Sequence, residues 1–297
     1  MIFPSSPENI RRAAAWLRAG RLVVMPTETV YGLAANALDE NAVRAIFAAK
    51  GRPASNPLIV HVTDAGMARS LASEWPDRAE ALTQHFWPGP LTIVVPKNSA
   101  VPDLVTAGLG SVALRSPAHS VAQALLRETG LPLAAPSANR FTELSPTTAA
   151  HVPSSLAEMI LDGGPCAVGI ESTVISLVGV MPRILRPGMI TRAQIEAVIG
   201  PVEEGSGAES PGQHPKHYSP RTPVVLGESP RTGRGARLDF AAMPRDPAAY
   251  AEALYRTLHE LDAKCLDWIA IEPPPEGPEW AGIHDRLHRA AHGNGAI

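Results

Sequence analysis

Helical and strand patterns alternate along the first two hundred residues of the chain. The segment 8–20 carries its apolar residues on one helical face and ends at Gly20, a residue type that favours the left-handed conformation found at helix ends. The segment 41–51 repeats this spacing, with Asn41 as the predicted N-cap residue and Gly51 at the end. Both segments are therefore predicted to be amphipathic helices.

Short apolar runs stand between the helical segments, as in strands that are buried on both faces. The predicted strands of this half are 22–25, 58–62, 91–95, 112–115, 131–135, 159–163 and 172–178. Further helices are predicted at 120–130 and 191–200. This alternation of strands and helices predicts an α/β fold.

The chain changes character after residue 200. Residues 201–223 are rich in Pro, Gly and Ser and have no apolar period, which is typical of a linker. The pattern then predicts a strand at 224–226, a helix around 248–261, a strand at 265–272 and a helix at 280–291, with no clear pattern over 228–246. We therefore expect a domain over 1–200, a linker over 201–223 and a small α/β domain over 224–297.

Composition narrows the class of protein. A chain of 297 residues with 45% hydrophobic residues can fold into two domains. Lys and Arg number 26 against 29 Asp and Glu, which argues against a broad nucleic-acid-binding surface. The two cysteines, Cys166 and Cys265, are too far apart in sequence for a metal-binding pair and indicate a reducing compartment. No apolar segment is long enough to span a membrane, so we expect a cytoplasmic protein without membrane association.

Polar motifs follow several of the predicted strands. They are PTETVYGL (26–33), KGRPASNPLIVH (50–61), LRSP (114–117), APSAN (135–139), ESTV (171–174) and LRPG (185–188). Because α/β sheets bind ligands at the carboxyl ends of their strands, we expect these motifs to form one site.

Three arginines occur in matching contexts. Arg52, Arg115 and Arg186 each lie beside a proline or just before Ser-Pro, where the stiff backbone can hold a guanidinium in a fixed pose. Guanidinium groups make planar, two-pronged contacts with phosphate or carboxylate. A single arginine of this kind is usually a surface residue, but the repetition favours an anion site. Lys50 either joins this site or complements the dipole of the predicted helix at 41–51.

Serine nucleophile chemistry is not favoured. Ser137 of APSAN and Ser172 of ESTV follow or begin apolar runs, but no G-x-S-x-G elbow surrounds either residue. Both are also compatible with ordinary turns, in which a serine bonds its own backbone.

Two further motifs leave alternatives open. His61 at the end of a strand is either a structural hydrogen-bond donor or part of the site. His284, His288 and His292 recur at four-residue spacing and either bind a metal or lie on a solvated helix face, which is the default for a charged helix near the chain end.

Tyr218 lies in the polar linker, and we expect the linker to fold back over the site.

In combination, the motifs PTETVYGL, KGRPASNPL, WPGPLT, ALRSP, APSAN, GIESTV and LRPG resemble the YrdC family. The linker motif HYSP and the C-terminal piece resemble the long, two-domain form of that family, the L-threonylcarbamoyladenylate synthases. The likeness runs from about residue 8 to 292. It implies a twisted, mostly parallel sheet that encloses a large electropositive cavity, and a small Rossmann-like C-terminal domain, which here is shorter than usual.

The resemblance implies a reaction of L-threonine, bicarbonate and ATP that gives threonylcarbamoyl-AMP and pyrophosphate for the t6A modification of tRNA. Carried over by motif, the residues implied to contact the nucleotide are Arg52, Asn56, Ser111, Ser137, Ser145, Arg186 and Tyr218. Those implied to contact threonine are Thr29, His61, Arg115, the Ala135 backbone and Ser172. Lys50, Arg52 and Arg115 would neutralise charge and position the reactants. Mg²⁺ is expected to enter with ATP, without predicted protein ligands, and the product would pass to the tRNA threonylcarbamoyl transferase machinery.

Such a reaction depends on positioning and charge neutralisation, so it requires no covalent nucleophile. Two other functions stay open at this point. The chain could be an RNA-binding or ribosome-assembly module without catalysis, or it could transfer a carbamoyl group from carbamoyl-adenylate. The low aromatic content, 5%, argues against stable nucleic-acid binding.

Overall fold

The structure is a computed structural model, and it describes residues 1–205, 207, 217–228 and 232–292. In these ranges the strands are β1 (Ile2–Pro4), β2 (Val23–Met25), β3 (Gly32–Asn36), β4 (Ile59–His61), β5 (Leu91–Pro96), β6 (Ser111–Arg115), β7 (Leu133–Ala134), β8 (Ile160–Asp162), β9 (Thr173–Ser176), β10 (Arg183–Arg186), β11 (Glu203–Glu204), β12 (Val224–Leu226), β13 (Gly235–Leu238) and β14 (Trp268–Ile271). The helices are α1 (Pro7–Arg18), α2 (Glu40–Lys50), α3 (Ala65–Arg69), α4 (Asp77–Phe86), α5 (Asp103–Thr106), α6 (Ser120–Thr129), α7 (Arg192–Ile199), α8 (Pro247–Asp262) and α9 (Ala281–Ala291), with a 3₁₀ turn at Ala149–His151.

The strands form two sheets, and the predicted α/β class is confirmed. The larger sheet has the order β1-β8-β2-β3-β7-β4-β6-β5-β9-β10-β11, and the smaller has the order β12-β14-β13. The larger sheet combines parallel pairs, such as β4 with β6 and β5 with β9, with antiparallel pairs, such as β5 with β6. Both pairs of the smaller sheet are parallel.

Strand register brings polar strand ends together. In the parallel pair of β4 and β6, His61 lies directly opposite Arg115. β9 and β10 are antiparallel, so Arg186 at the end of β10 lies opposite Val174 near the start of β9. Side chains that are distant in sequence therefore meet at one edge of the larger sheet.

Helix α2 ends beside this edge of the sheet and so places the two cations of the KGRP motif, Lys50 and Arg52, next to it. Its N-cap is Asp39, whose carboxylate accepts hydrogen bonds from the backbone amides of Asn41 and Ala42, so the prediction of Asn41 as the cap is wrong. An aspartate is a strong cap because its charge also complements the helix dipole. Gly51 ends the helix with a φ of 62°, as predicted, and the chain then turns towards Arg52.

Two large apolar clusters stabilise the molecule. One packs the sheet against its helices, and its fully buried members include Leu33, Ile46, Val60, Ile93 and Leu114. The other is centred on the C-terminal helices but also contains residues of the N-terminal half and of the HYSP motif, among them Val30, Leu144, Ile170 and Tyr218. The C-terminal region therefore packs directly on the N-terminal region.

The last helix has one buried face and one more exposed face. α9 buries Ile283, Arg286 and Leu287, whereas His288 and His292 are exposed and His284 is half-buried, in line with the default of a solvated face for the three histidines. The weakly patterned segment 228–246 contains strand β13, although residues 229–231 lie outside the described ranges. None of the helices described here is both long enough and apolar enough to cross a membrane.

Candidate functional site

A cavity lies at the edge of the larger sheet where the polar motifs meet. Its walls are the loops after β2, α2 and β7, the ends of β4, β6 and β10, the segment before β9, and the HYSP motif. The residues that line it are Thr27, Thr29, Val30, Gly32, Arg52, Leu58, Ile59, His61, Arg115, Ala135, Pro136, Ser137, Glu171, Ser172, Arg186, His217 and Tyr218.

The three arginines singled out from the sequence line this one cavity. Arg52, Arg115 and Arg186 are 7%, 4% and 3% exposed, so they are buried rather than spread over the surface. Arg52 donates from Nη2 to the carbonyl of Pro57 at 3.0 Å, and its Nε has no hydrogen-bond partner in the described part of the chain. Arg186 donates from Nε and Nη2 to the carbonyl of Ser172 at 3.1 and 3.0 Å. The expected convergence of guanidinium groups is present.

Arg115 is fixed by an acidic residue that the sequence analysis did not single out. Its Nη2 lies 2.7 Å from Oε1 of Glu28, and its Nη1 donates to the hydroxyl of Thr29 at 2.9 Å. Both members of the ion pair are buried. Glu28 lies in the PTET motif, and nothing in the sequence indicated that its partner would be a strand-end arginine. The pair orients Arg115 beside His61 and Thr29.

The cavity is electropositive, and its imidazoles are neutral. Burial, with a smaller effect of Arg186, lowers the pKa of Arg52 to about 10. Burial and the adjacent Arg115 lower the pKa of His61 to about 3. The pKa of His217 falls well below its ordinary value, because the side chain is buried and Arg52 is near. At neutral pH the positive charge therefore belongs to guanidinium groups, which suits an anionic ligand.

Lys50 supports a cavity wall instead of lining the cavity. Its ammonium group donates to the carbonyl of Ser137 at 2.5 Å and to the carbonyl of Asn139. Burial, followed by the charge of Arg52, lowers the pKa of Lys50 well below its ordinary value. In this conformation Lys50 orders the APSAN loop, which places Ala135 and Ser137 in the lining.

Three other residues implied to contact the nucleotide lie outside the lining. Asn56 is half-buried in the turn between Arg52 and β4. Ser111 begins β6, and the extended strand separates it from Arg115 by roughly 13 Å. Ser145 is fully buried and donates to Oε1 of Glu171 at 2.5 Å. The structure thus gathers nine of the predicted residues and leaves Lys50, Asn56, Ser111 and Ser145 behind or beside the cavity wall.

Glu171 is a lining residue whose role was missed. Its carboxylate accepts hydrogen bonds from Ser145, from the hydroxyl of Tyr255 at 3.1 Å and from Nε of Arg286 at 2.8 Å. Tyr255 and Arg286 belong to α8 and α9. The glutamate is visible in the ESTV motif, but Tyr255 and Arg286 lie more than eighty residues further along the chain and carry no sequence signal of this contact.

The HYSP motif reaches the cavity. His217 and Tyr218 are both lining residues, and Tyr218 is 1% exposed, with a φ of 58°. The backbone of Ser219 pairs with that of Glu143 as a parallel bridge. The predicted linker also includes residues 206 and 208–216, which lie outside the described residues.

The two carboxylates beside the cavity are both engaged by arginines. Glu28 is paired with Arg115, and Glu171 is paired with Arg286. Within the described ranges no three His, Cys, Asp or Glu side chains are placed to hold a metal ion. On α9, the rings of His284 and His288 stack with centroids 6.3 Å apart, and Nε2 of His284 is 3.1 Å from the carbonyl of Pro275.

Two family models match consecutive parts of the chain. One, described as "Telomere recombination" and covering the Sua5, YciO and YrdC proteins, matches residues 15–188. The other, described as "Threonylcarbamoyl-AMP synthase, C-terminal domain", matches residues 190–292.

Curated relatives and solved structures agree with these matches. The threonylcarbamoyl-AMP synthase of Bacillus subtilis is 41% identical over 96% of this chain and 93% of its own length. The Pyrococcus abyssi enzyme of the same name is 49% identical over 75% of this chain and 69% of its own length. A crystal structure of P. abyssi Sua5 complexed with L-threonine superposes with a TM-score of 0.92 at 38% identity, covering 98% of this chain and 97% of that chain. The resemblance drawn from the motifs is confirmed: the chain belongs to the two-domain threonylcarbamoyl-AMP synthase family.

Proposed function

We propose that this protein forms L-threonylcarbamoyl-AMP from L-threonine, bicarbonate and ATP and releases pyrophosphate, the first step of the t6A modification of tRNA. The observation that carries the proposal is the convergence of Arg52, Arg115 and Arg186 on one buried cavity. A reaction that joins two anions, a carbamate and a triphosphate, needs a site of this charge.

The chemistry has two steps. The nitrogen of threonine attacks bicarbonate, forming a C–N bond and giving N-carboxythreonine and water. A carbamate oxygen then attacks the α-phosphate of ATP, forming a P–O bond while the bond to pyrophosphate breaks. The second step depends on in-line positioning and on cations that neutralise the developing charge. The described lining supplies guanidinium groups and small hydroxyls for that purpose.

We assign the threonine to the side of the cavity formed by β4 and β6. His61 and Arg115 lie opposite each other there, with Thr29 bonded to Arg115. Ala135 and Ser172 complete this group in the lining. The P. abyssi relative, solved as a complex with L-threonine and alike over nearly its whole length, supports the assignment.

We assign the nucleotide to the side formed by Arg52, Arg186 and the HYSP motif. The implied nucleotide contacts are Arg52, Asn56, Ser111, Ser137, Ser145, Arg186 and Tyr218, of which Asn56, Ser111 and Ser145 lie outside the present lining. Mg²⁺ would be held by the ATP phosphates and water, since both nearby carboxylates are paired. We further propose a division of roles along the chain: residues 1–200 form the catalytic domain, residues 201–223 form a linker over the site, and residues 224–297 form the C-terminal domain. We also propose that the protein is cytoplasmic.

The experiment supplies purified protein with ATP, ¹³C-bicarbonate and L-threonine, and the products are identified by mass spectrometry. We expect a threonine-dependent adenylate that carries one ¹³C, formed together with an equal amount of pyrophosphate. L-serine in place of threonine tests selectivity in the same assay. Release of pyrophosphate without a threonine-containing nucleotide would refute the proposal, and an RNA-binding module would give neither product.

A further inference from the structure

Among the contacts of the C-terminal region with the cavity wall is a buried arginine, Arg286 of α9, whose side chain is 0% exposed. Its Nη2 donates to the main-chain carbonyl of Glu171 at 3.0 Å, and its Nη1 donates to the main-chain carbonyl of Pro187 at 3.0 Å. Glu171 directly precedes Ser172 of the lining, and Pro187 directly follows Arg186. One guanidinium therefore holds both backbone segments that carry these two lining residues.

The side chain of Glu171 ties the same arginine to a third wall segment. Nε of Arg286 donates to its Oε2 at 2.8 Å, while Ser145 donates to its Oε1. Burial by itself would raise the pKa of Glu171, but Arg286 and Arg186 lower it below its ordinary value, so the carboxylate is charged. Removal of the cation that pairs with a buried, charged carboxylate strongly destabilises the folded protein.

The backbones are closely packed at this junction. A Cβ atom on Gly282 of α9 would lie 2.8 Å from Cα of Gly188 in the LRPG motif. A Cβ atom on Gly169, just before the ESTV motif, would lie 2.3 Å from the carbonyl oxygen of Ala251 in α8. Real side chains do not fit at these distances, so both helices contact the wall loops backbone to backbone.

The two segments are also joined from the cavity side. Arg186 donates to the carbonyl and to the hydroxyl of Ser172. Arg286 bonds the same two segments but is absent from the cavity lining. Its guanidinium carbon is 5.2 Å from the ring centroid of Tyr218, which does line the cavity.

We propose that Arg286 is a positioning residue for the reaction: from the C-terminal region it sets the relative position of Ser172 and Arg186 through the carbonyls of Glu171 and Pro187. The inference rests on the proposed function and assigns the C-terminal region a direct part in it. Catalysis by positioning is sensitive to small displacements, since an error of about 1 Å can cost roughly 100-fold in rate.

The test compares variants that separate charge balance from backbone positioning. Arg286→Met removes the contacts to both carbonyls and leaves Glu171 charged without its cation. Glu171→Gln combined with Arg286→Met removes the contacts but restores charge balance. Arg286→Lys keeps a cation but lacks the fork that reaches two carbonyls. The control is Arg234→Met, because Arg234 also donates to two main-chain carbonyls, those of Lys264 and Cys265, at the exposed far side of the C-terminal region.

The readouts are the thermal midpoint, kcat and KM for ATP and threonine, and hydrogen exchange of the amides in 171–174 and 185–188. We expect the double variant to melt near the wild-type midpoint while its kcat/KM falls roughly 100-fold, with faster exchange in both segments. Arg286→Lys should recover only part of the rate, and Arg234→Met should match the wild type in kinetics and in exchange.

Wild-type kinetics in the double variant would overturn the inference and leave Arg286 a purely stabilising residue. If Arg286→Met does not fold, the kinetics and hydrogen exchange of the double variant and of Arg286→Lys decide the outcome. A wild-type protein that makes no threonine-containing adenylate would refute the proposed function, while the exchange comparison would still decide whether Arg286 orders the two segments.

Discussion

The neutral state of His61 predicts a measurable loss of stability in acid. His61 is 3% exposed, and burial together with Arg115 lowers its pKa to about 3. In the unfolded chain the same side chain has a pKa of about 6.5. Its contribution to stability is therefore fully present above pH 6.5 and is lost as the pH falls below 6.5, because only the unfolded state takes up the proton.

The magnitude follows from the two pKa values. Each pH unit between them changes the free energy of unfolding by about 1.4 kcal/mol, so His61 alone should cost about 2 kcal/mol at pH 5 relative to pH 7. His151, whose pKa is lowered to about 4 mainly by burial, should contribute a smaller loss in the same direction, because its side chain is only half-buried and solvent screens it. A drop of this size is a large fraction of the net stability of an ordinary protein.

The assay isolates His61 by substitution. Urea unfolding of the wild type and of His61→Gln is measured at pH 7, 6 and 5 without ligands, and the exposed His288→Gln serves as the matched control. The difference in unfolding free energy between His61→Gln and the wild type should move by about 2 kcal/mol in favour of the variant from pH 7 to pH 5. NMR of ¹³Cε1-labelled histidine should show no titration of His61 over this range. A pH dependence of His61→Gln equal to those of the wild type and His288→Gln would refute the reasoning.

Three further predictions concern the cavity. Arg52→Ala should weaken ATP binding by about 1.5–3 kcal/mol, the range for hydrogen bonds to a charged group; unchanged affinity in calorimetry would remove Arg52 from the site. Lys50→Met leaves the two buried carbonyls that Lys50 bonds without that donor, so thermal unfolding should show a loss of about 1–3 kcal/mol, and an unaltered midpoint would contradict this. Glu28→Gln releases Arg115 from its ion pair and should raise KM for threonine more than KM for ATP; equal changes in steady-state kinetics would argue against an orienting role.

Local patterns allowed much of the fold to be predicted. The C-terminal ends of α2 and α6 follow from glycine at helix ends, and the buried strands β5 and β6 and the helix α8 follow from the spacing of apolar residues. Strand β3, Gly32–Asn36, was not predicted, because it begins inside the polar motif PTETVYGL and continues as a short run of small residues. Strand β13 was missed because its burial comes from its neighbour β14 and not from its own composition.

The sequence alone determined several of the polar side chains that gather at the cavity. Proline-flanked arginines and polar motifs after apolar strands are local features, and strand topology places such ends at a common edge. Arg52, Arg115, Arg186 and His61 were found in this way, and all four line the cavity.

Only the tertiary structure decided how those side chains are held. Glu28 forms an ion pair with Arg115, Lys50 donates a hydrogen bond to the backbone of the APSAN motif, and Glu171 forms an ion pair with Arg286 of α9. Each of these contacts joins residues far apart in the chain, and each exists because a charged or polar group buried during packing must acquire a partner. No periodicity or spacing in the sequence records which partner that will be, because the choice is made by the geometry of the packed elements.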